Sequence, residues 1–310
     1  MKWTRRLRFI SAKAKLKLIS LVAVIGLLLL LILILLPSGP VNENKATWLW
    51  DASIIRSDTD QIIEFSGREG ITTIFLQIQR GVDAEEYRSF VSAAHQQGIS
   101  VHALDGQPEW AYEAGRSQGM ELLNWLDEYN AASAPEEKFE GVQFDVEPYV
   151  LRRWDVEQQQ VVEEWSANME VWVAEANRQN LPISAAVPFW LDSTPGPGGS
   201  DSFSRWIIER TDAIAVMAYR DSGEQMYELS KEELEQADEL GKLVWIGMEL
   251  GDTDEGDHLT FFAKSEQEME DEALHAASLG SEHASFAGLA VHHYEAWVHK
   301  RTAMADDENR

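Results

Sequence analysis

The segment Gly141–Pro148 places Gln143, Asp145 and Glu147 at alternate positions, separated by Val142, Phe144 and Val146. Successive strand side chains point to opposite faces, so this alternation predicts a strand with one apolar and one polar face. Three polar side chains in a row on an interior face are costly unless they are hydrogen-bonded and used. Paired carboxyl groups suit acid–base chemistry: one protonates a leaving oxygen while another acts as nucleophile or base, as cleavage of a glycosidic bond requires. Glu249 ends a second apolar run, Leu243–Leu250, and is a candidate for that other carboxyl. Retention by that route needs roughly 5–5.5 Å between the two groups. The bland alternatives are a structural ion pair for Glu147 and an arginine-paired rim position for Glu249.

Short runs rich in β-formers recur at Thr47–Ser53, Thr72–Gln79, Ser100–Gly106, Gly141–Pro148, Ile183–Trp190, Ala213–Asp221, Leu243–Leu250 and Ala287–Tyr294. Stretches of 3.6-residue periodicity lie between them, clearest at Ala84–Gln97, Met120–Ala132, Glu157–Arg178, Lys231–Leu240 and Glu266–Ala277. Asp83 and Ser265 sit where N-caps are expected, and Gly98, Gly241 and Gly280 follow helices where C-caps are expected. Strand–helix alternation repeated eight times predicts a single (β/α)8 barrel over residues 47–304. A doubly wound open sheet would want a phosphate loop after its first strand, and neither GxGxxG nor a Walker motif occurs.

Chemistry in such barrels sits at the C-terminal ends of the strands. The period of two turns Gln77 and Gln79, Asp105, then Met217, Tyr219 and Asp221 toward the barrel axis. It does the same for Trp245 and Glu249, and for Ala290, His292 and Tyr294, while Asp51 and Trp190 end the first and fifth strands. The expected mouth therefore holds carboxylates, amides, a tyrosine, a histidine and tryptophans, an inventory suited to carbohydrate. Aromatic faces stack on sugar rings, and carboxylates and amides bind hydroxyls. Asp51 and Asp105 either touch substrate or cap the following helices. Trp48, Trp50 and Trp190 either stack on sugars or fill the barrel, and Tyr219 is either a site residue or core. His292 and His293 invite a metal reading, but adjacent strand residues face opposite ways, so no metal site is expected.

Composition narrows the field. The chain has 310 residues, 45% of them hydrophobic, which supplies a large core, and no cysteine, which excludes a disulfide framework, a thiol nucleophile and a Cys-ligated zinc. Acidic residues number 53 against 26 basic ones, a balance that argues against nucleic acid as a partner. HExxH is absent, and no cofactor is expected.

Glu140-Gly-Val-Gln143-Phe-Asp145-Val-Glu147 resembles the DGxDxDxE strand-four motif of family 18 glycoside hydrolases, the chitinase-like barrels. Met217-Ala-Tyr219 resembles the Met-x-Tyr element of their sixth strand. The likeness extends over roughly 47–304 in motif order, with Trp297 near the region of that family's floor tryptophan. The resemblance implies that Glu147 is the general acid, that Asp145 orients the substrate acetamido group and holds Glu147, and that Tyr219 hydrogen-bonds the acetamido oxygen as it attacks the anomeric carbon. This substrate-assisted route requires a 2-acetamido sugar and no enzyme nucleophile. Gln143, Met217, Asp221, His292 and Trp297 are implied substrate contacts, beside Asp51, Gln77, Asp105 and Trp190 from the strand ends. The chain departs from the motif where Glu140 and Gln143 replace its first two aspartates and where Arg220 displaces the acid to Asp221.

The N-terminus adds a location. Lys2, Arg5, Arg6, Arg8, Lys13, Lys15 and Lys17 precede an uncharged stretch, Leu18–Leu36, and the remainder carries 19 basic and 53 acidic residues, a net of −34. Nineteen residues span roughly 28 Å as a helix, about the thickness of a bilayer core. The expected organisation is a basic cytoplasmic segment (1–17), a transmembrane anchor (18–36), a linker (37–46), the barrel and an acidic tail (305–310). The barrel then lies outside the cytoplasmic membrane with a cell-wall or exopolysaccharide glycan as partner. A cleaved signal peptide is the competing reading; the run is longer than usual for one and no Ala-x-Ala site follows it.

Overall fold

The computed structural model describes residues 40–308. Eight parallel strands close into a barrel in sequence order. They are β1 (Lys45–Leu49), β2 (Ile71–Gln77), β3 (Ser100–Asp105), β4 (Gly141–Asp145), β5 (Ile183–Pro188), β6 (Ala213–Met217), β7 (Leu243–Glu249) and β8 (Phe286–His292). The seam is sealed by β1 on β8, where Thr47 stands opposite Val291 and its hydroxyl donates to the Val291 carbonyl at 2.9 Å.

Between strands run α1 (Ile55–Glu69), α2 (Ala84–Gln96), α3 (Arg116–Ala132), α4 (Arg152–Gln179), α5 (Phe203–Arg210), α6 (Gly223–Glu228), α7 (Lys231–Leu240) and α8 (Glu266–Gly280). The last helix, α9 (Tyr294–Glu308), follows β8. Their starts are set locally. The Ser265 hydroxyl accepts from Glu268 N at 3.2 Å while Glu268 accepts from Ser265 N at 2.9 Å, and Glu86 accepts from Asp83 N at 2.7 Å. Gly98 and Gly241 adopt positive φ after their helices, as expected. Gly280 does not. It is the last residue of α8, where a side chain would meet the Phe286 ring at 2.8 Å, so close packing explains the glycine rather than a cap.

Two apolar layers follow from strand alternation. Val142, Phe144, Val187, Val216, Ile246 and Leu289 face outward into the helix layer, where Phe144 stacks on Trp172 of α4 at 4.7 Å. Ala46, Trp48, Phe75, Leu104, Ala215 and Ala290 meet inside the barrel, with Trp50 and Trp245 against them. The interior is thus a packed floor, not a pore.

Every strand starts within two residues of its expected beginning, and each ends earlier than the apolar pattern does. Interstrand pairing stops where the mouth opens, so Glu147, Trp190, Tyr219 and Asp221 lie on loops just past strand ends. β1 begins at Lys45, inside the stretch read as linker, and α9 continues through the first residues of the acidic tail. The expected membrane span lies outside the described residues; among those described, no helix is long and apolar enough to cross a membrane.

Candidate active site at the barrel mouth

β4 positions the central groups. Gln143 is fully buried one layer below the mouth, where its Oε1 accepts from Trp48 Nε1 at 2.6 Å and its Nε2 donates to Ser184 Oγ at 3.4 Å. Its expected role as a substrate contact is therefore corrected: it satisfies the indole N–H of the floor. Two residues on, Asp145 stands at the end of β4, and its Oδ1 is shielded from solvent without a hydrogen-bond partner. Burial, reinforced by the Glu147 charge, pushes its carboxyl well above the usual carboxylate range. A close backbone approach from β3 confines it: a side chain at Gly106 would collide with the Asp145 carbonyl.

Glu147 leaves the strand and precedes a single turn, Pro148–Val150. It is half-buried, and its Oε2 accepts a hydrogen bond from the Tyr149 hydroxyl. The Tyr149 ring meets Trp190 edge-on at 5.0 Å and Trp154 at 6.4 Å. Trp190, on the turn after β5, thus reaches the Glu147 side of the mouth, as expected of a strand-end aromatic.

Tyr219 joins this group from the loop after β6. Gly247 of β7 makes room for it, since a side chain there would lie 2.6 Å from the Val216 carbonyl and 3.2 Å from the Tyr219 ring. The Tyr219 hydroxyl is held well above its ordinary range, first by burial and then by the charges of Glu249, Asp145 and Glu147. One phenol therefore senses the charges of all three carboxyl groups. Met217 ends β6 beside Gly247, half-buried in the same wall.

Glu249 is not free. Its Oε1 accepts from Gly251 N at 2.6 Å, and its Oε2 pairs with His292 Nδ1 at 2.6 Å. The other imidazole nitrogen, Nε2, accepts from Trp50 Nε1 at 3.1 Å. That arrangement defines one neutral tautomer, with the proton on Nδ1, and leaves neither nitrogen free for a metal. The imidazole lies 5.6 Å from the Tyr219 ring and 5.7 Å from Trp48, so His292 is the aromatic surface that β8 contributes to the mouth. The alternation argument for His293 fails, because β8 has already ended and the two rings lie 5.1 Å apart. Among the described residues, no group of three or more His, Asp or Glu could hold a metal ion.

Several expected residues stand elsewhere. His102 and Leu104 take the interior positions of β3, so Asp105 has the opposite parity, in register with Phe144. Its carboxylate sits at the rim, accepting from Gln77 Nε2 at 2.9 Å and Gly106 N at 2.9 Å. Burial raises its pKa despite those two bonds. Gln79 lies exposed beyond β2. Asp51 is an exposed N-cap that accepts from Ser53 N at 3.0 Å. Asp221 pairs with Lys264 at 2.7 Å on the rim. Tyr294 and Trp297 are corrected outright. Both start α9 and pack against Phe65 of α1 at 5.4 and 5.7 Å, so Trp297 is outer-layer core, not a substrate floor. Trp297 also lines an apolar cavity of about 240 Å³ behind β7 and β8.

Two residues escaped the sequence reading. Tyr149 keeps the parity of Glu147, a signal masked by Pro148. His102 is buried inside the barrel, where burial lowers its pKa to about 4 and keeps it neutral. Its presence was signalled only by Gly141, where any side chain would strike the imidazole.

No protein-family pattern matches this sequence, and no curated protein matches it. Solved structures do. A chitinase from Bacteroides thetaiotaomicron superposes with a TM-score of 0.54 at 12% identity, covering 82% of this chain and 90% of that one. The two share the (β/α)8 barrel fold. The Bacillus megaterium spore cortex-lytic enzyme SleL aligns with a TM-score of 0.47 at 15% identity over 72% of this chain and 56% of that one. The Cycas revoluta family 18 chitinase in complex with (GlcNAc)4 aligns with a TM-score of 0.43 at 14% identity over 66% and 68%. At 12% identity the likeness to the Bacteroides thetaiotaomicron chitinase extends to architecture, and the chemistry of this barrel rests on the residues at its own mouth.

Proposed function

We propose that this chain is a glycoside hydrolase-like protein acting on a cell-wall or exopolysaccharide glycan that contains N-acetylhexosamine, with Glu147 as general acid. The observation that carries this reading is the half-buried Glu147 carboxyl at the mouth, two residues past the shielded Asp145, at the strand end where such barrels do chemistry. Glu147 gives its proton to the leaving oxygen. Tyr219, held as a neutral donor, is suited to the acetamido oxygen while that oxygen attacks the anomeric carbon. Attack by Glu249 is disfavoured, since both of its oxygens already accept bonds of 2.6 Å. Rather, Glu249 fixes His292. The basic N-terminus followed by the uncharged run 18–36 supports a single-pass tether with the barrel outside the cytoplasmic membrane.

The test is hydrolysis of a panel of aryl-glycosides and cell-wall glycans by the wild type beside Glu147→Gln. The substitution keeps the shape and removes the acid, so a loss of about a hundredfold or more is expected. Equal turnover by both proteins removes Glu147 from the role. Glycan binding by both without turnover favours a silent glycan-binding barrel.

A further inference from the structure

Of the groups at the mouth, the substrate-assisted reading leaves Tyr149 unassigned. Its hydroxyl donates to Glu147 Oε2, and a phenolic O–H can make that bond only to an acceptor oxygen. The phenol stays a donor, because burial and then the Glu147 charge raise its pKa far beyond the ordinary tyrosine range. Its ring has little freedom. Trp190 and Trp154 meet it at interplanar angles of 80° and 76° and lie 6.0 Å from each other, forming an aromatic corner between the β4 and β5 loops. Trp154 is buried, so the corner is anchored in the barrel wall.

We propose that Tyr149 is a positioning residue for Glu147: its hydroxyl, held in place by Trp190 and Trp154, aims the carboxyl into the mouth. The proposal rests on the reading of Glu147 as the general acid. A carboxyl held by one fixed donor keeps a single orientation, and proton transfer to a leaving oxygen depends on that orientation.

Tyr149→Phe retains the ring and both indole contacts and removes only the hydroxyl. For a hydrolysed substrate, the expected result is a fall in kcat of about tenfold with KM within about twofold. An unchanged kcat, or a change confined to KM, overturns the proposal. A second arm needs no activity. Thermal midpoints of the wild type, Tyr149→Phe, Glu147→Gln and the double variant form a cycle. The expected coupling is a non-additive shift of about 2–4 °C. Additive shifts overturn the pair. Coupling intact in a protein that turns over no substrate retains the pair and removes the glycosidase reading instead, so the two failures are distinguishable.

Discussion

Asp145 and Glu233 are two carboxyl groups that burial treats alike and the fold uses differently. Each has shielded oxygen without a hydrogen-bond partner, and each is pushed well above the usual carboxylate range, first by loss of water and then by neighbouring negative charge. Asp145 ends β4 and is half-buried, with Glu147 beside it and Tyr219 within reach of its charge. Glu233 lies on α7 with no exposed surface, packed toward the outer helices, and the charges that raise it are Asp192 and Glu232. A raised pKa therefore does not mark a site by itself. What separates the two is access: one carboxyl stands where a substrate can arrive, the other where nothing can.

The sharpest test exchanges each acid for its amide. Asp145→Asn is expected to lower hydrolysis about a hundredfold or more, whereas Glu233→Gln leaves it within about twofold. Comparable losses from both would dissolve the contrast. The next effect is on stability. A carboxyl whose folded pKa exceeds its unfolded value binds its proton more tightly when folded. Its contribution is fully present below the unfolded pKa, near 4.5 for Glu233, and is lost as pH rises toward 8. That loss is on the order of a few kcal/mol. Glu233→Gln should therefore raise the thermal midpoint increasingly from pH 5 to pH 8 relative to the wild type, and a constant difference across that window would show that Glu233 is not buried as a neutral acid. The smallest effect concerns Trp297. Trp297→Phe should cost roughly 1–3 kcal/mol through the cavity it leaves against Phe65, with kcat and KM unchanged. A change in KM would return that tryptophan to the substrate path.

Much of the architecture was legible because it is written in local periodicity. The eight strands, the capping boxes at Asp83 and Ser265 and the inward parity of Asp145, Trp245 and Ala290 all follow from rules that act over a few residues. The errors cluster where strands end. Parity extended past β2 and β8 misplaced Gln79 and Tyr294, because a strand keeps its alternation only while its neighbours hold its backbone. On β3 the origin was misjudged by one position, which exchanged Asp105 with Leu104. Tyr149 was hidden because a proline separates it from the strand whose face it continues.

The sequence by itself determined that eight strand–helix units exist, which residues β4 turns inward, and that a basic segment and an uncharged run precede them. Those are consequences of side-chain chemistry at fixed spacing. Only the tertiary structure decided what each inward group does, because partners come from elements far apart in the chain. Gln143 is taken by Trp48 from β1, Glu249 by His292 from β8, and Trp297 by Phe65 from α1. Closure of the barrel brings such groups within hydrogen-bonding or packing distance, and burial then makes each pairing a matter of satisfying a polar group that water no longer reaches.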